Sequence, residues 1–260
     1  MLKIPASRGP ITIEGNECSI VGNGDCVIRL DDGASVTLNE LSLVGSGDAI
    51  GCLGDAEVGG TKLSIAAAGN GMIGKGLLNI ADNSDIAIEA IEGSAVTAKG
   101  IAIGAGAKLD ARAGLNAVHT TKNDLVLGAG AELYAYTDVN YNAVKCADTL
   151  ILQSGSLFFA QNNGEYHGAE IDMLSVNGVV TIQCKGGSKG MGMFVFTQNE
   201  DVCVIGSCSP GAQYENGDGS ITFVENMSAY NSWLEEQAKA ADAKEEQNAP
   251  EGDNDTEDEG

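Results

Sequence analysis

Short aliphatic segments recur along the chain at a nearly constant spacing. A triplet with apolar first and third positions begins at residues 78, 101, 125, 150 and 174, so that successive starts differ by 23, 24, 25 and 24 residues. Apolar positions that alternate with other residues over three to five positions have the period of a β-strand and not that of a helix. The triplets therefore predict one short strand at the same place in every repeat.

Two further segments complete each repeat. A second apolar pair follows the start of each triplet by seven or eight residues, and these pairs are Ile86/Ile88, Leu109/Ala111, Leu133/Ala135, Leu157/Phe159 and Ile182/Cys184. The third segment carries an Ala-Val or similar unit, as in Ala117-Val118, and Gly, Asn, Asp and Ser fill the gaps, where corners need positive φ or local hydrogen bonds. Three strands and three corners in each repeat describe one coil of a parallel β-helix. A leucine-rich repeat is excluded because its LxxLxLxxN consensus is absent.

The fold prediction is therefore all-β, a single parallel β-helix occupying residues 1–225 with about eight to nine coils. At about 4.8 Å per coil, these coils make a rod of roughly 40 Å. The residue before each Ala-Val or similar unit forms one corner column, which we predict to be Asp25, Asp48, Gly71, Ser94, Asn116 and Asn142. Stacked side chains of this kind hydrogen-bond one another and the neighbouring backbone. The alternative for Asp25 and Asp48 is a cation-binding role.

The composition changes near residue 226. Tyr230, Trp233, Leu234 and Ala238 fall at i, i+3, i+4 and i+8, which predicts a helix with one narrow apolar stripe over 226–248, placed to cap the last coil. Residues 235–260 contain eleven acidic side chains and two lysines. We predict that 249–260 is a disordered acidic tail.

Charge and cysteine content narrow the function classes. The chain has 37 acidic and 14 basic residues and a formal net charge of -23, which disfavours nucleic acid as a partner. No apolar run reaches the length of about 20 residues that membrane insertion needs. The first ten residues lack the apolar stretch of a signal peptide, so we expect a cytoplasmic protein, or a cell-surface one if a leader was removed. The seven cysteines form no CxxC motif, and we expect most of them to be buried, reduced thiols.

The repeated phrase, clearest from Asn70 to Gln161, resembles that of the pectin-lyase-like right-handed parallel β-helix superfamily, and within it bacterial carbohydrate-binding domain-containing β-helix proteins. The resemblance implies a right-handed coil and binding of a polysaccharide or surface glycan. In such relatives the corner often reads Gly-Asp-Gly-Ile, and its Asp helps to bind calcium. Here Asp25 and Asp48 keep the acid without the second glycine, so they are the candidate calcium ligands.

This sequence gives little support for the catalytic chemistry of the lyases and hydrolases in that superfamily. The lyases need a calcium-binding carboxylate cluster with a nearby base, and Arg112 beside Asp110 is explained by a surface ion pair. The hydrolase dipeptides occur as Asp31-Asp32 and His167-Gly168, but six coils, or roughly 28 Å, separate them. His119 reads as an outward position in a row with Thr97, Lys145 and Asp172. We assign no catalytic residue.

One strand face carries candidate binding residues. The predicted outward positions on consecutive coils are Asp110 and Arg112, then Tyr134 and Tyr136, then Phe158. Sugar rings pack on such aromatic surfaces. The alternatives are that the rings only stabilise the sheet or that another subunit covers them. We therefore expect a non-catalytic carbohydrate-binding protein, with a self-associating scaffold as the second hypothesis and a polysaccharide lyase or hydrolase as the third.

Overall fold

A computed structural model describes residues 1–178, 180–190, 192–198, 203–204 and 220–224. The predicted capping helix at 226–248 and the predicted tail at 249–260 lie outside these residues. The strands, in chain order, are β1 Leu2–Ile4, β2 Ile11–Gly22, β3 Cys26–Leu30, β4 Ala34–Gly45, β5 Asp48–Cys52, β6 Ala56–Gly59, β7 Leu63–Ala67, β8 Met72–Gly74, β9 Leu77–Ile80, β10 Asp85–Ala90, β11 Val96–Ala98, β12 Gly100–Ile103, β13 Lys108–Ala113, β14 Val118–Thr120, β15 Leu125–Leu127, β16 Glu132–Thr137, β17 Val144–Gln153, β18 Leu157–Asn162, β19 Ala169–Asn177, β20 Val180–Lys185, β21 Met193–Gln198, β22 Cys203–Val204 and β23 Ser220–Val224. A 3₁₀ turn spans Ala6–Arg8.

The strands wind into a parallel β-solenoid of about 8 turns, which confirms the predicted fold class. Each turn contributes to three faces. Face A contains β3, β5, β8, β11, β14 and the first parts of β17 and β19; face B contains β6, β9, β12, β15 and the second parts of β17 and β19; face C contains β7, β10, β13, β16, β18 and β20. On face B, Leu78, Ile101 and Leu125 lie in register, as the triplets predicted.

Aliphatic side chains fill the interior in stacked columns. In the turn formed by β14, β15 and β16, the fully buried side chains include Val118, Leu125, Leu127, Leu133 and Ala135. A strand turns alternate side chains to opposite sides, so each short strand supplies one or two residues to the core. This geometry explains why apolar residues alternate with other residues in the sequence.

Glycine and asparagine allow the chain to turn onto face C. Asn83, Gly106, Gly130 and Gly155 occupy the same corner of successive turns, and all have φ between +55 and +76. This left-handed conformation is unfavourable for residues with a Cβ, although Asn tolerates it. The recurring glycine therefore fixes where each turn bends.

The predicted polar corner column exists with two corrections. The residues in register are Cys26, Asp48, Asn70, Ser94, Asn116 and Asn142, so Asn70 replaces Gly71, and Asp25 lies one residue before the column. The predicted column is wrong at these two positions because the sequence pattern placed the apolar unit one residue too early in the first turn, at Cys26, and one residue too late in the third, at Met72. Asp48 Oδ1 accepts the Asn70 backbone N–H at 2.7 Å, and Asn70 Oδ1 accepts the Ser94 backbone N–H at 3.0 Å.

Aspartates support other corners in the same way. Asp32 Oδ1 accepts the backbone N–H of Asp55, whose own Oδ1 accepts that of Leu77, both at 2.8 Å. Asp82 and Asp124 make equivalent bonds to Ala105 and Thr149 of the following turns. Many of the acidic side chains of the solenoid are thus acceptors that join one turn to the next.

The cysteine prediction is confirmed for most of the described thiols. Cys26, Cys52 and Cys146 are buried free thiols, Cys184 is also buried, and Cys18 is free and exposed. Burial raises the pKa of the Cys52 thiol to about 12. Among the residues that the structure describes, no helix has the length and hydropathy needed to cross a membrane.

Phe158 points into the core and not outward as the sequence predicted. Its side chain is 0% exposed, and it lies in register with Leu133, while Phe159 lies in register with Tyr134. The prediction was wrong because the corner before β18 contains one residue more than expected, so the strand pattern shifts by one position. The inward pair of this strand is therefore Phe158 and Ala160, and the outward aromatic residue is Phe159.

The left-handed corner can be tested with one pair of glycine variants. A Cβ at Gly130 would meet no atom within 4 Å, but φ there is +66. Gly130→Ala should therefore lower the free energy of unfolding by about 1–2 kcal/mol through backbone strain alone. Gly24→Ala is the control, since that position also has free space and its φ lies outside the left-handed region. Urea denaturation of both variants measures the difference, and equal stabilities would contradict the corner assignment.

The strand register can be tested with the two neighbouring phenylalanines. Phe158→Ala should destabilise the protein by about 3–5 kcal/mol, because it leaves a cavity in the core. Phe159→Ala removes only a surface ring contact and should cost about 1 kcal/mol. Thermal unfolding followed by circular dichroism compares them, and the reverse order of stabilities would restore the register predicted from the sequence.

Candidate ligand-binding face

Face C brings four of the five predicted ligand-binding residues together. Asp110, Tyr134 and Phe159 form one outward column on β13, β16 and β18. Arg112 and Tyr136 form the adjacent column, which continues to Gln161. Phe158 is the one predicted residue that the structure places elsewhere, in the core.

The aromatic rings contact one another in tilted pairs and lie beside cations. The Tyr136 and Phe159 ring centroids are 5.1 Å apart, and those of Tyr134 and Phe159 are 6.0 Å apart. The Arg112 guanidinium lies 4.4 Å from the Tyr136 centroid, and Lys108 Nζ lies 5.6 Å from that of Tyr134. These distances are typical of aromatic pairs and cation–π contacts.

This arrangement differs from the flat aromatic platform that the sequence suggested. Neighbouring strands are about 4.8 Å apart, which brings rings on consecutive turns against one another. Tyr136 contacts Arg112 of the preceding turn and Phe159 of the following one. A ligand on this surface therefore meets ring edges and the Tyr hydroxyls more readily than open ring faces.

Charges of opposite sign lie beside the rings. Arg112 Nε is 3.7 Å from Asp110 Oδ1, in a surface ion pair like the one predicted from the sequence. The Tyr134 hydroxyl donates a hydrogen bond to Glu132 Oε2 at 3.2 Å. Burial raises the pKa of Tyr134, and the Glu132 carboxylate raises it further. The cations and acids of this face thus offset one another locally.

A groove lies where the strands of face C end. It has a volume of about 450 Å³, and its polar lining includes Glu89, Arg112, Tyr136, Asp138 and Asn163. A second depression of about 200 Å³ lies beside it, lined by Ser64, Ala66 and Ala87 together with the shared residues Glu89 and Arg112. The two depressions are adjacent, because Glu89 and Arg112 line both of them.

Hydrogen bonds hold one wall of this groove in place. The Asn163 side-chain amide donates to Asp138 Oδ1, and the Gln161 amide donates to Asn163 Oδ1, both at 2.6 Å. The neighbouring Asn162 is fully buried; its amide donates to the Tyr141 carbonyl and its Oδ1 accepts the Gly164 backbone N–H. The polar groups of the wall are therefore preorganised by the turn that follows β18.

Asp25 and Asp48 line a different depression, of about 280 Å³, near the N-terminal turns. Arg29 and Lys75 line it too, and Asp48 Oδ1 already accepts two hydrogen bonds from Asn70. Calcium takes six to eight oxygen ligands, so two carboxylates accompanied by two cations do not provide a calcium site by themselves. Among the described residues, no group of three or more His, Cys, Asp or Glu side chains is placed to hold a metal ion. A calcium role for these two residues stays a prediction.

His119 lies on face A, away from the groove. It is in register with Thr97 and Lys145, as predicted, but the next member of the row is Glu170 and not Asp172. Lys145 Nζ and Glu170 Oε1 form an ion pair at 3.0 Å. Partial burial lowers the pKa of His119, and the Lys145 ammonium lowers it further. These four residues form a stacked polar column on face A.

Sequence reasoning missed three groups at the candidate site: Phe159, Glu89 and Asp138. The length of the repeat could have identified two of them. Glu89 precedes Arg112 by 23 residues, and Ala135 precedes Ala160 by 25, so each pair is one repeat apart. Aligning the two alanines would have placed Phe159 outward. Asp138 had no such signal, since it lies in a turn that the repeat does not define.

Comparison of the chain with known protein families, with characterised proteins and with solved structures gave no match. The resemblance to the pectin-lyase-like superfamily therefore stays an expectation from the repeat, and the structure shows the parallel β-solenoid. A fold shared by many proteins does not determine function, so the function is argued from the site.

Proposed function

We propose that this chain is a non-catalytic carbohydrate-binding β-helix protein of the pectin-lyase-like kind, and that it holds a glycan or cell-surface polymer along face C. The observation that carries the proposal is the groove of about 450 Å³, around which a guanidinium, a phenol, two carboxylates and an amide converge. A concave site with a few preorganised polar groups is the usual form of a small-ligand or sugar site.

The chemistry of the groove suits a hydroxyl-rich ligand. Glu89 and Asp138 accept hydrogen bonds, Arg112 donates them, and the Tyr136 hydroxyl and the Asn163 amide do both. The adjacent second depression is lined by small side chains, Ala66 and Ala87, which leave room for an extended chain. Several sugar units lying across successive turns would use both parts.

The charges favour neutral over anionic glycans. Asp110 offsets Arg112, so the two remaining carboxylates of the groove, Glu89 and Asp138, leave a negative site. The chain as a whole carries a net charge of -23, which repels polyanions. We therefore expect a neutral polysaccharide to bind more tightly than a pectate-like one.

Binding without turnover is supported by how the charged groups are held. Arg112 contacts the Tyr136 ring and Asp110, and Asp138 accepts a hydrogen bond from Asn163. Groups with these partners are suited to orient a ligand. The competing hypothesis is that the aromatic stack only stabilises the sheet. It predicts retardation in no gel, and therefore no difference between the variants below.

Affinity electrophoresis through gels that contain neutral or anionic polysaccharides tests the proposal. Tyr136→Phe removes one hydroxyl from the groove and keeps the ring contacts, so it should weaken retardation in a neutral gel about fivefold, the value of one hydrogen bond. Tyr134→Phe is the matched control, because that hydroxyl bonds Glu132 and does not line the groove. Retardation in no gel, or an equal loss in both variants, would overturn the proposal.

A further inference from the structure

The first turn of the solenoid has a free edge. Among the strands that the structure describes, β2 pairs with β4 and with no other strand, and β1 pairs with β3 alone. No described strand therefore pairs with the backbone N–H and C=O groups along the other side of β2. An irregularity between Glu14 and Cys18 divides this edge into two segments, Ile11–Glu14 on face B and Cys18–Gly22 on face C. Such an edge is a template for pairing with another strand.

The core is incompletely covered at this end. Ile11, Ile13 and Ile20 pack on the core but stay partly exposed. Val21 beside them is 66% exposed, and Leu2 of β1 is also exposed. Burying this apolar surface against a partner would be favourable, because burial contributes about 25 cal/mol per Å² of apolar area.

Charge points to a second copy of the chain as the partner. Residues 1–22 contain two basic residues, Lys3 and Arg8, and two acidic ones, Glu14 and Glu17, so this end is neutral in a chain of net charge -23. Two copies repel each other over most of their surfaces. The first turn is where they can approach without that repulsion, and its two basic and two acidic side chains match those of an identical turn.

The far end of the ladder is built differently. There β20 pairs with β23, and this pairing is antiparallel although the turns before it are parallel. A strand of opposite direction at this position prevents a second solenoid from continuing the parallel stack on face C. Association through identical first turns is therefore favoured over head-to-tail stacking.

We propose that two copies of this chain associate end to end through their first turns, with β2 of one copy antiparallel to β2 of the other. A two-fold axis relates the two edges, so the interface is closed and the assembly stops at a dimer. The inference is independent of glycan binding, because face C lies on the side of the solenoid and stays accessible in such a pair.

Sedimentation equilibrium of the 260-residue chain over a hundredfold range of concentration tests this interface. The experiment is run with reductant, because Cys18 on β2 is exposed and would otherwise cross-link copies. The expected result is a reversible equilibrium between 26.6 kDa and twice that mass. Val21→Lys should raise the dissociation constant at least about tenfold, since it places lysines on both facing edges.

Ile91→Lys is the matched control, because Ile91 is 68% exposed, close to the 66% of Val21, and lies on a later turn. Thr12→Lys is a second interface variant. Thr12 lies at an exposed position on the other segment of β2, Ile11–Glu14, so the substitution leaves the core unchanged. Circular dichroism confirms that all three variants are folded. A monomer at every concentration, polymers larger than a dimer, or equal effects of Val21→Lys and Ile91→Lys would each overturn the proposal.

Discussion

The in-register hydrogen bonding between successive turns is the constraint on which the rest of this structure depends. Because each turn lies about 4.8 Å above the last in fixed register, every side chain stacks on the residue one repeat away. Each position therefore belongs to a column, and the neighbouring residues in that column determine which side chains it can accommodate. Val96 and Val118 stack inside, Gly106 and Gly130 stack at a corner, and each is suitable only because its neighbours above and below are similar.

The acidic character of the solenoid follows in part from the same constraint. A corner interrupts the strand ladder and leaves backbone N–H groups that need acceptors. Asp32, Asp55 and Asp82 supply carboxylate oxygens to those groups, a role that lysine and arginine lack the acceptor to fill. On the flat faces the opposite rule holds, because stacked like charges repel: Lys108 lies in register between Asp85 and Glu132. Part of the acidic content of the solenoid thus has a structural function at the corners.

The architecture could be predicted from the sequence because strand alternation and period survive changes in corner length. The register of individual strands was harder to predict from the sequence. In the segment Leu157-Phe158-Phe159 three large apolar residues follow one another, so alternation alone does not say which of them faces inward. The structure places Phe158 inside because Ala160 must stack on Ala135. The groove was still harder to predict, since Asp138 and Asn163 lie in turns whose conformation depends on contacts between coils.

The stacking that stabilises face C also determines how that face can recognise a ligand. Rings on successive turns contact one another, and Tyr136 contacts Arg112 of the preceding turn and, diagonally, Phe159 of the following turn. Recognition by an open ring face would require an aromatic residue whose neighbours in the column are small, and the stacked rings of this face have none beside them. Hydrogen-bonding groups at the ends of the strands are free of that restriction, because they line the groove and not the aromatic columns. On the proposed function, the rings of this solenoid therefore contribute stability, and the polar residues beside them would contribute specificity.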